Sequence, residues 1–208
     1  MKFLLPVGGV VDDRFGILTS PAHTGVPAGI VAGMDWAAEN ECYTRGWQPR
    51  RFFIWLEKME RYRDTCLFVP VPDVVGNARA TLSSFFLWRD KFAGWPVAFV
   101  AQDGQEALDY PRDFNVLFIG GTTKWKLGDG AMRCIRYAAD NGKRVHIGRV
   151  NWARRYFHFR ALPGSKEFTC DGTRTRFDGT ARTVVAWAEY MESSYQLCLH
   201  LPAGHCGG

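Results

Sequence analysis

A short apolar run, a polar cluster at its end, and then a stretch with helical spacing recur along this chain. No other feature limits the fold as much. Residues 65–71 (TCLFVPV) are rich in branched and aromatic side chains, and Pro72-Asp73 ends the run. A helical stretch over 77–91 follows. Residues 96–101 (PVAFVA) end at Gln102-Asp103-Gly104, and residues 115–119 (NVLFI) at Gly120-Gly121-Thr122-Thr123. An amphipathic helix over 127–140 closes on Asn141-Gly142, a good C-terminal stop. Residues 144–147 form the next strand, then Gly148-Arg149-Val150-Asn151 and a basic, aromatic helix over 152–161. Residues 167–170 are the last clear strand, ended by Asp171-Gly172-Thr173, and a final helix is expected over 180–193.

Strands that alternate with helices imply parallel βαβ units. Near-continuous hydrophobic strands imply a sheet covered on both faces. Before residue 65 the pattern is less regular: 3–6 and 37–43 read as strands, and 49–61 as a helix with aromatics on one side. That makes roughly seven strands, one short of a closed (β/α)8 barrel. The expected fold is therefore a compact α/β barrel of the TIM type, abbreviated by a strand, with a doubly wound open sheet as the alternative. No internal repeat or linker divides the chain, so one barrel domain over 1–208 is expected, with 194–208 as a flexible or metal-binding tail.

Composition sets outer limits. Hydrophobic residues are 47% and charged residues 23% of the 208, which excludes a disordered chain and suits one domain with a substantial core. No apolar run approaches the roughly 18–20 residues that span a bilayer. The apolar start meets Asp12 and Asp13 at once and reads as a first strand, not a signal peptide, so a cytoplasmic setting is expected. The net charge of +5 favours an anionic partner. Six scattered cysteines (Cys42, Cys66, Cys134, Cys170, Cys198, Cys206) are expected as free thiols.

In parallel α/β folds, ligands bind at the carboxyl ends of the strands. Those positions carry Asp73, Gln102 with Asp103, Gly120-Gly121, His146 with Arg149 and Asn151, and Asp171. Asp and Gly start the turn after many strands, so one such cluster is unremarkable. A whole set on one end marks a functional rim. Gly120-Gly121 lets backbone approach a ligand closely. It is no P-loop, since no Gly-Lys-Ser/Thr follows, and neither GxGxxG nor Gly-x-Ser-x-Gly occurs.

Three segments carry a family likeness: residues 115–126 (NVLFIGGTTKWK), 145–151 (VHIGRVN) and 170–173 (CDGT). They resemble the tRNA-guanine transglycosylase superfamily, and more closely its small phage and bacterial branch, associated with inserting 7-deazaguanines into DNA. The resemblance covers about residues 7–173. It implies a (β/α)8 barrel and base exchange through a covalent sugar–enzyme intermediate. The position matching the family's nucleophile is Asp171, the base-recognition carboxylate matches Asp73, the recognition amide Gln102, and the backbone platform for the base Gly120 and Gly121. The second catalytic carboxylate belongs to a motif expected to read Asp-Asn-Gly. Here the stretch is Glu39-Asn40-Glu41, and Glu39 is the matching position.

The residue types suit that chemistry on their own terms. An Asp carboxylate can attack an anomeric carbon and displace a base, dividing one hard step into two. The leaving base needs a proton and the incoming one must lose one, which requires a second acid/base group. Two inversions give retention. Arg149, Asn151, Arg154 and Arg155 belong to a basic strip with Arg144, His158 and Arg160, interleaved with Trp152, Tyr156, Phe157 and Phe159. Cations suit phosphates and aromatics suit unstacked bases, although a barrel helix with one buried aromatic face reads the same way. Arg174 and Arg176 are placed to hold a phosphate near Asp171.

The structural zinc motif of transglycosylases that act on tRNA is absent. The tail holds Cys198, His200, His205 and Cys206, which are zinc ligand types in a non-standard spacing; a frayed tail is the other reading. No cofactor is required by the expected chemistry. The expected partners are DNA and a free 7-deazaguanine base, with no membrane. Three functions stay open: a DNA base-exchange transglycosylase, a DNA glycosylase that releases the base to water, and a barrel that only binds nucleic acid.

Overall fold

The computed structural model describes residues 1–7 and 12–172, together with Glu189 and Ser193. The chain divides into two compact units, Met1–Thr173 and Arg174–Gly208. Everything below concerns the first.

Eight parallel strands close a complete barrel in sequence order: β1 (Lys2–Pro6), β2 (Gly16–Thr19), β3 (Trp36–Ala38), β4 (Cys66–Pro70), β5 (Val97–Ala101), β6 (Val116–Ile119), β7 (Arg144–Ile147) and β8 (Thr169–Asp171). The open-sheet alternative is thereby excluded, and no strand is missing. β2 is the strand that sequence patterning overlooks. It has four residues and begins with a glycine, a poor strand former. That glycine is required, because a Cβ on Gly16 would lie 2.5 Å from the Leu4 side chain and 3.0 Å from the Asp35 carbonyl. The expected strand over 37–43 is shorter: β3 stops at Ala38, and a short helix follows the rim.

The helices are α1 (Ala28–Val31), α2 (Cys42–Arg45), α3 (Pro49–Met59), α4 (Ala78–Trp88), α5 (Thr123–Lys126), α6 (Asp129–Asp140) and α7 (Ala153–Arg160). α3 starts on Pro49, whose missing N–H costs nothing at a helix start, and buries Phe52, Trp55, Leu56 and Met59. α6 buries Ala131, Cys134, Ile135 and Ala138 at the same i, i+3, i+4, i+7 spacing. Asn77 caps α4 by accepting from the Ala80 N–H at 3.0 Å. No helix among the described residues is long and apolar enough to cross a membrane.

Two cores result. One lies inside the barrel, where Leu4, Ala37, Phe68, Ala98 and Val116 pack with Leu18 and Phe118. The other is an aromatic layer outside the wall. There Trp36 meets Trp55 and Trp95 edge-on at about 6 Å, and its indole N–H donates to the Tyr62 carbonyl at 2.8 Å. Fixing both faces of each strand leaves its carboxyl end as the place where polar residues gather.

Candidate active site

Every strand from β2 to β8 delivers polar or glycine residues to one mouth of the barrel. The positions are Ser20 after β2, Glu39-Asn40-Glu41 after β3, Asp73 after β4, Gln102 after β5, Gly120-Gly121 after β6, Gly148-Arg149 after β7, and Asp171 at the end of β8. Glu39, Asp73, Gln102, Gly120, Gly121 and Asp171 are thus brought to the same rim, as the sequence leads one to expect.

Asp171 is buried and firmly held. His146 Nε2 lies 3.1 Å from its Oδ1, and the Arg149 N–H donates to the same oxygen at 3.0 Å. The other imidazole nitrogen, Nδ1, lies 2.8 Å from Thr169 Oγ1. His146 is fully buried inside the barrel, its ring packed on Phe68 and Phe118 at 4.5–4.7 Å between centroids. Burial lowers its pKa, against the hydrogen bond and charge of Asp171, which raise it. The ring is neutral at pH 7. A carboxylate only accepts, so Nε2 carries the proton and Nδ1 accepts from the Thr169 hydroxyl. Among the described residues, both side-chain hydrogen bonds of Asp171 end on Oδ1, and Oδ2 is the oxygen left to face a ligand.

Opposite stands a second cluster. Asn40 Nδ2 donates to Asp73 Oδ1 at 2.9 Å, and Gln102 Nε2 donates to Asp73 Oδ2 at 2.7 Å. Gln102 Oε1 accepts from the Gly76 N–H at 2.9 Å, so both ends of this buried amide serve to orient Asp73 and its loop. Burial, partly offset by these donors, raises the Asp73 pKa.

Glu39 lies between the two clusters electrically. Its pKa is pushed up to about 8, first by burial and then by the charges of Asp171 and Asp73, against the Glu41 N–H that donates to its Oε1 at 3.2 Å. Burial and the neighbouring Asp171 and Asp73 thus favour the protonated form of Glu39. That is the condition for a general acid.

Among the described residues, two that are not glycine adopt left-handed backbone, and both are on this rim. Glu41 has φ of 60°, in the position where a glycine was expected. Its carboxylate is tied down by Ser20 Oγ (2.8 Å), the Ala22 N–H (3.0 Å) and an ion pair with Arg51 (2.7 Å). Arg149 also has φ of 60°. Its guanidinium donates to the carbonyls of Gly120 and Gly121 and lies 4.8 Å over the Tyr43 ring, joining the rim after β6, β7 and β3. Strained backbone held this firmly is characteristic of working sites.

The two glycines have a packing reason. A Cβ on Gly120 would sit 2.8 Å from both Gln102 Nε2 and Val100, and one on Gly121 would overlap the Trp125 ring. Asp103 joins neighbouring loops, accepting from the Thr122 N–H and hydroxyl at 2.6 Å each. Lys126, which the sequence does not flag, is buried with Nζ 2.5 Å from the Gly148 carbonyl. Burial, and then the charge of Arg149, bring its pKa down to about 7.

The basic strip does not hold together. Arg149, Asn151 and Arg155 stand at the mouth, Arg155 donating to the Arg149 carbonyl at 3.2 Å, and Arg154 is exposed at the start of α7. Arg144 begins β7 at the far end of the barrel, where it donates to the Leu67 carbonyl, and Arg160 bonds Ser165 below. Tyr156 and Phe159 are buried core. Arg174, Arg176, Cys198, His200, His205 and Cys206 lie outside the described residues. Among the described residues no group of three His, Cys, Asp or Glu side chains is arranged to hold a metal ion, and Cys42, Cys66, Cys134 and Cys170 are free thiols.

Sequence reasoning gives Ser20, Asn40 and Lys126 no place in the site, and gives His146 a place on the rim but no role. A histidine between Val145 and Ile147, one residue before the end of β7, is a readable signal. Nothing local marks the lysine. Comparison with protein-family models, curated proteins and solved structures finds no match to this chain.

Proposed function

We propose that the protein is a base-exchange transglycosylase acting on DNA, replacing guanine with a 7-deazaguanine. The observation that carries this reading is the gathering of Glu39, Asp73 and Asp171 at one mouth of the barrel, with Asp171 held through one oxygen by buried His146 and the Arg149 N–H. A nucleophile and an acid in one mouth are what displacement of a base from a sugar requires.

Asp171 Oδ2 attacks C1′ of the target nucleotide as the C1′–N9 bond breaks. Glu39 gives its proton to the departing base, leaving a covalent sugar ester on Asp171 and an ionised Glu39. The incoming base then attacks C1′ from the opposite side, its N–H proton passes to Glu39, and Asp171 is released as a carboxylate. Two inversions return the original configuration. His146 Nε2–H and the Arg149 N–H hold Oδ1 throughout and stabilise the carboxylate when it is expelled.

Asp73, oriented by Asn40 and Gln102, suits the N–H edge of a guanine-like base. A base without those donors would forgo that contact, which is how such a site selects. Gly120-Gly121, whose carbonyls accept from Arg149, bring backbone without side chains to the same rim. The target nucleotide must be single-stranded or turned out of its duplex to reach the mouth.

The test is incubation of the chain with single- and double-stranded DNA, with and without free 7-deazaguanine bases, followed by mass spectrometry of released bases and digested nucleosides. Incorporation that is lost in Asp171→Ala supports exchange. Base release with abasic sites and no incorporation assigns the chain to the glycosylases, with water resolving the ester. Binding without either product leaves only a nucleic-acid-binding barrel.

A further inference from the structure

Outside the mouth, a groove of about 760 Å³ runs between the turn after β2 and helix α3. Its titratable lining is His23, Arg50, Arg51 and Lys58, with no carboxylate among the lining residues. Arg51 is already paired with Glu41. Arg50 and Lys58 are exposed and make no ion pair among the described residues. They stand at i and i+8 on α3 with exposed Ile54 midway, so all three share one face of the helix. Eight residues of helix span roughly 12 Å, more than one phosphate interval of a nucleic-acid strand. Trp55 and Met59 make the floor apolar.

Two unpaired cations flanking an apolar contact do not suit a neutral ligand, and their separation exceeds the size of a single small anion. Through Arg51, the same wall is joined to the segment that carries Glu39. We propose that this groove binds the phosphodiester backbone of a single-stranded segment adjoining the nucleotide held at the mouth, with Arg50 and Lys58 on phosphates and Ile54 against a sugar or base face. The inference rests on the proposed function only in taking a polynucleotide as the anion.

The experiment measures fluorescence anisotropy of a labelled single-stranded oligothymidylate with the full chain across a salt series. The variant is Arg50→Ala/Lys58→Ala. The control, Arg112→Ala/Arg136→Ala, removes the same charge from exposed positions elsewhere. Loss of two phosphate contacts should weaken low-salt binding about tenfold and reduce the slope of log affinity against log salt by about 1.4. The control pair should change neither, and all variants should melt as the parent does. Equal losses in both pairs would reduce the groove to general charge attraction and overturn the proposal, as would no loss in either. Base exchange with no groove effect removes the groove alone. Groove-dependent binding with no base chemistry on DNA or tRNA removes the proposed function and leaves the groove standing.

Discussion

The two sides of the mouth hold an aspartate each and treat it differently. On the β8 side, Asp171 has its fixed hydrogen bonds on one oxygen, from a histidine buried in the barrel and from a backbone N–H, with Arg149 and Lys126 nearby. On the β4 side, Asp73 has a donor on each oxygen, both neutral amides, and burial raises its pKa. The first arrangement fixes a carboxylate and leaves an oxygen to react. The second fixes a carboxyl group as a shape to be recognised. Residue type alone does not separate the two proposed roles, nucleophile and recognition group. The distribution of donors over the two oxygens is what distinguishes them in the proposed function.

Exchanging the carboxyl oxygen for an amide tests this most severely. Asp171→Asn should lower base exchange about 10³-fold or more, since the nucleophile is removed. Asp73→Asn should act mainly on base binding, raising KM for the incoming base and relaxing the choice of base. If both variants lose kcat equally and leave KM alone, the division of roles is wrong.

Glu39 makes the next largest effect, and its sign is fixed by its burial and then by the neighbouring carboxyl groups. Glu39→Gln should lower kcat about 10²-fold and remove the fall in rate expected as pH rises through about 8. The linkage runs against stability. Between its ordinary value of 4.5 and its folded value of about 8, the folded chain keeps a proton that the unfolded chain has lost. Stability must therefore fall as pH rises through that window. The melting temperature gained by Glu39→Gln should grow across it and level off beyond. A constant difference between the two melting curves would show that neither burial nor the two aspartates raise the Glu39 pKa.

His146→Ala should cost about 2–4 kcal/mol in urea unfolding, from the lost ring packing and an unsatisfied buried Asp171. Gly120→Ala should cost about 1–3 kcal/mol, because its Cβ has no room beside Gln102. The smallest effect distinguishes backbone from side chain at Glu41. Glu41→Ala should be less stable than Glu41→Gly by about 1 kcal/mol, since only glycine takes a left-handed φ at no cost. Equal stabilities would remove the strain from the account of that turn.

Much of this was legible beforehand. From β4 onward, apolar runs ending in polar clusters located each strand to within two residues at its ends, because strands buried on both faces have little freedom of composition. β2 was missed for a physical reason: Gly16 exists to let Leu4 approach, and packing overrode propensity. The site residues were legible as positions on a rim but not as roles. That Gln102 serves Asp73, that His146 serves Asp171, and that Glu39 holds a proton depend on contacts between segments 25 or more residues apart. The basic strip divides because Arg144 begins β7 at the opposite end of the barrel from Arg149, and order along the chain does not show which end a residue occupies.

The closing seam of the barrel sets a schedule for synthesis. β8 pairs with β1, placing Asp171 opposite Leu4, so the residue proposed to do the chemistry sits on the last strand of the barrel and is paired with the first. That contact has nearly the greatest sequence separation the barrel allows, and its loop-closure cost is met only after the intervening strands are in place. A ribosome-bound chain that has emerged only as far as β7 has Glu39, Asp73 and Gln102 but not Asp171. On the function proposed above, the ability to break a glycosidic bond arrives together with closure of the ring of strands.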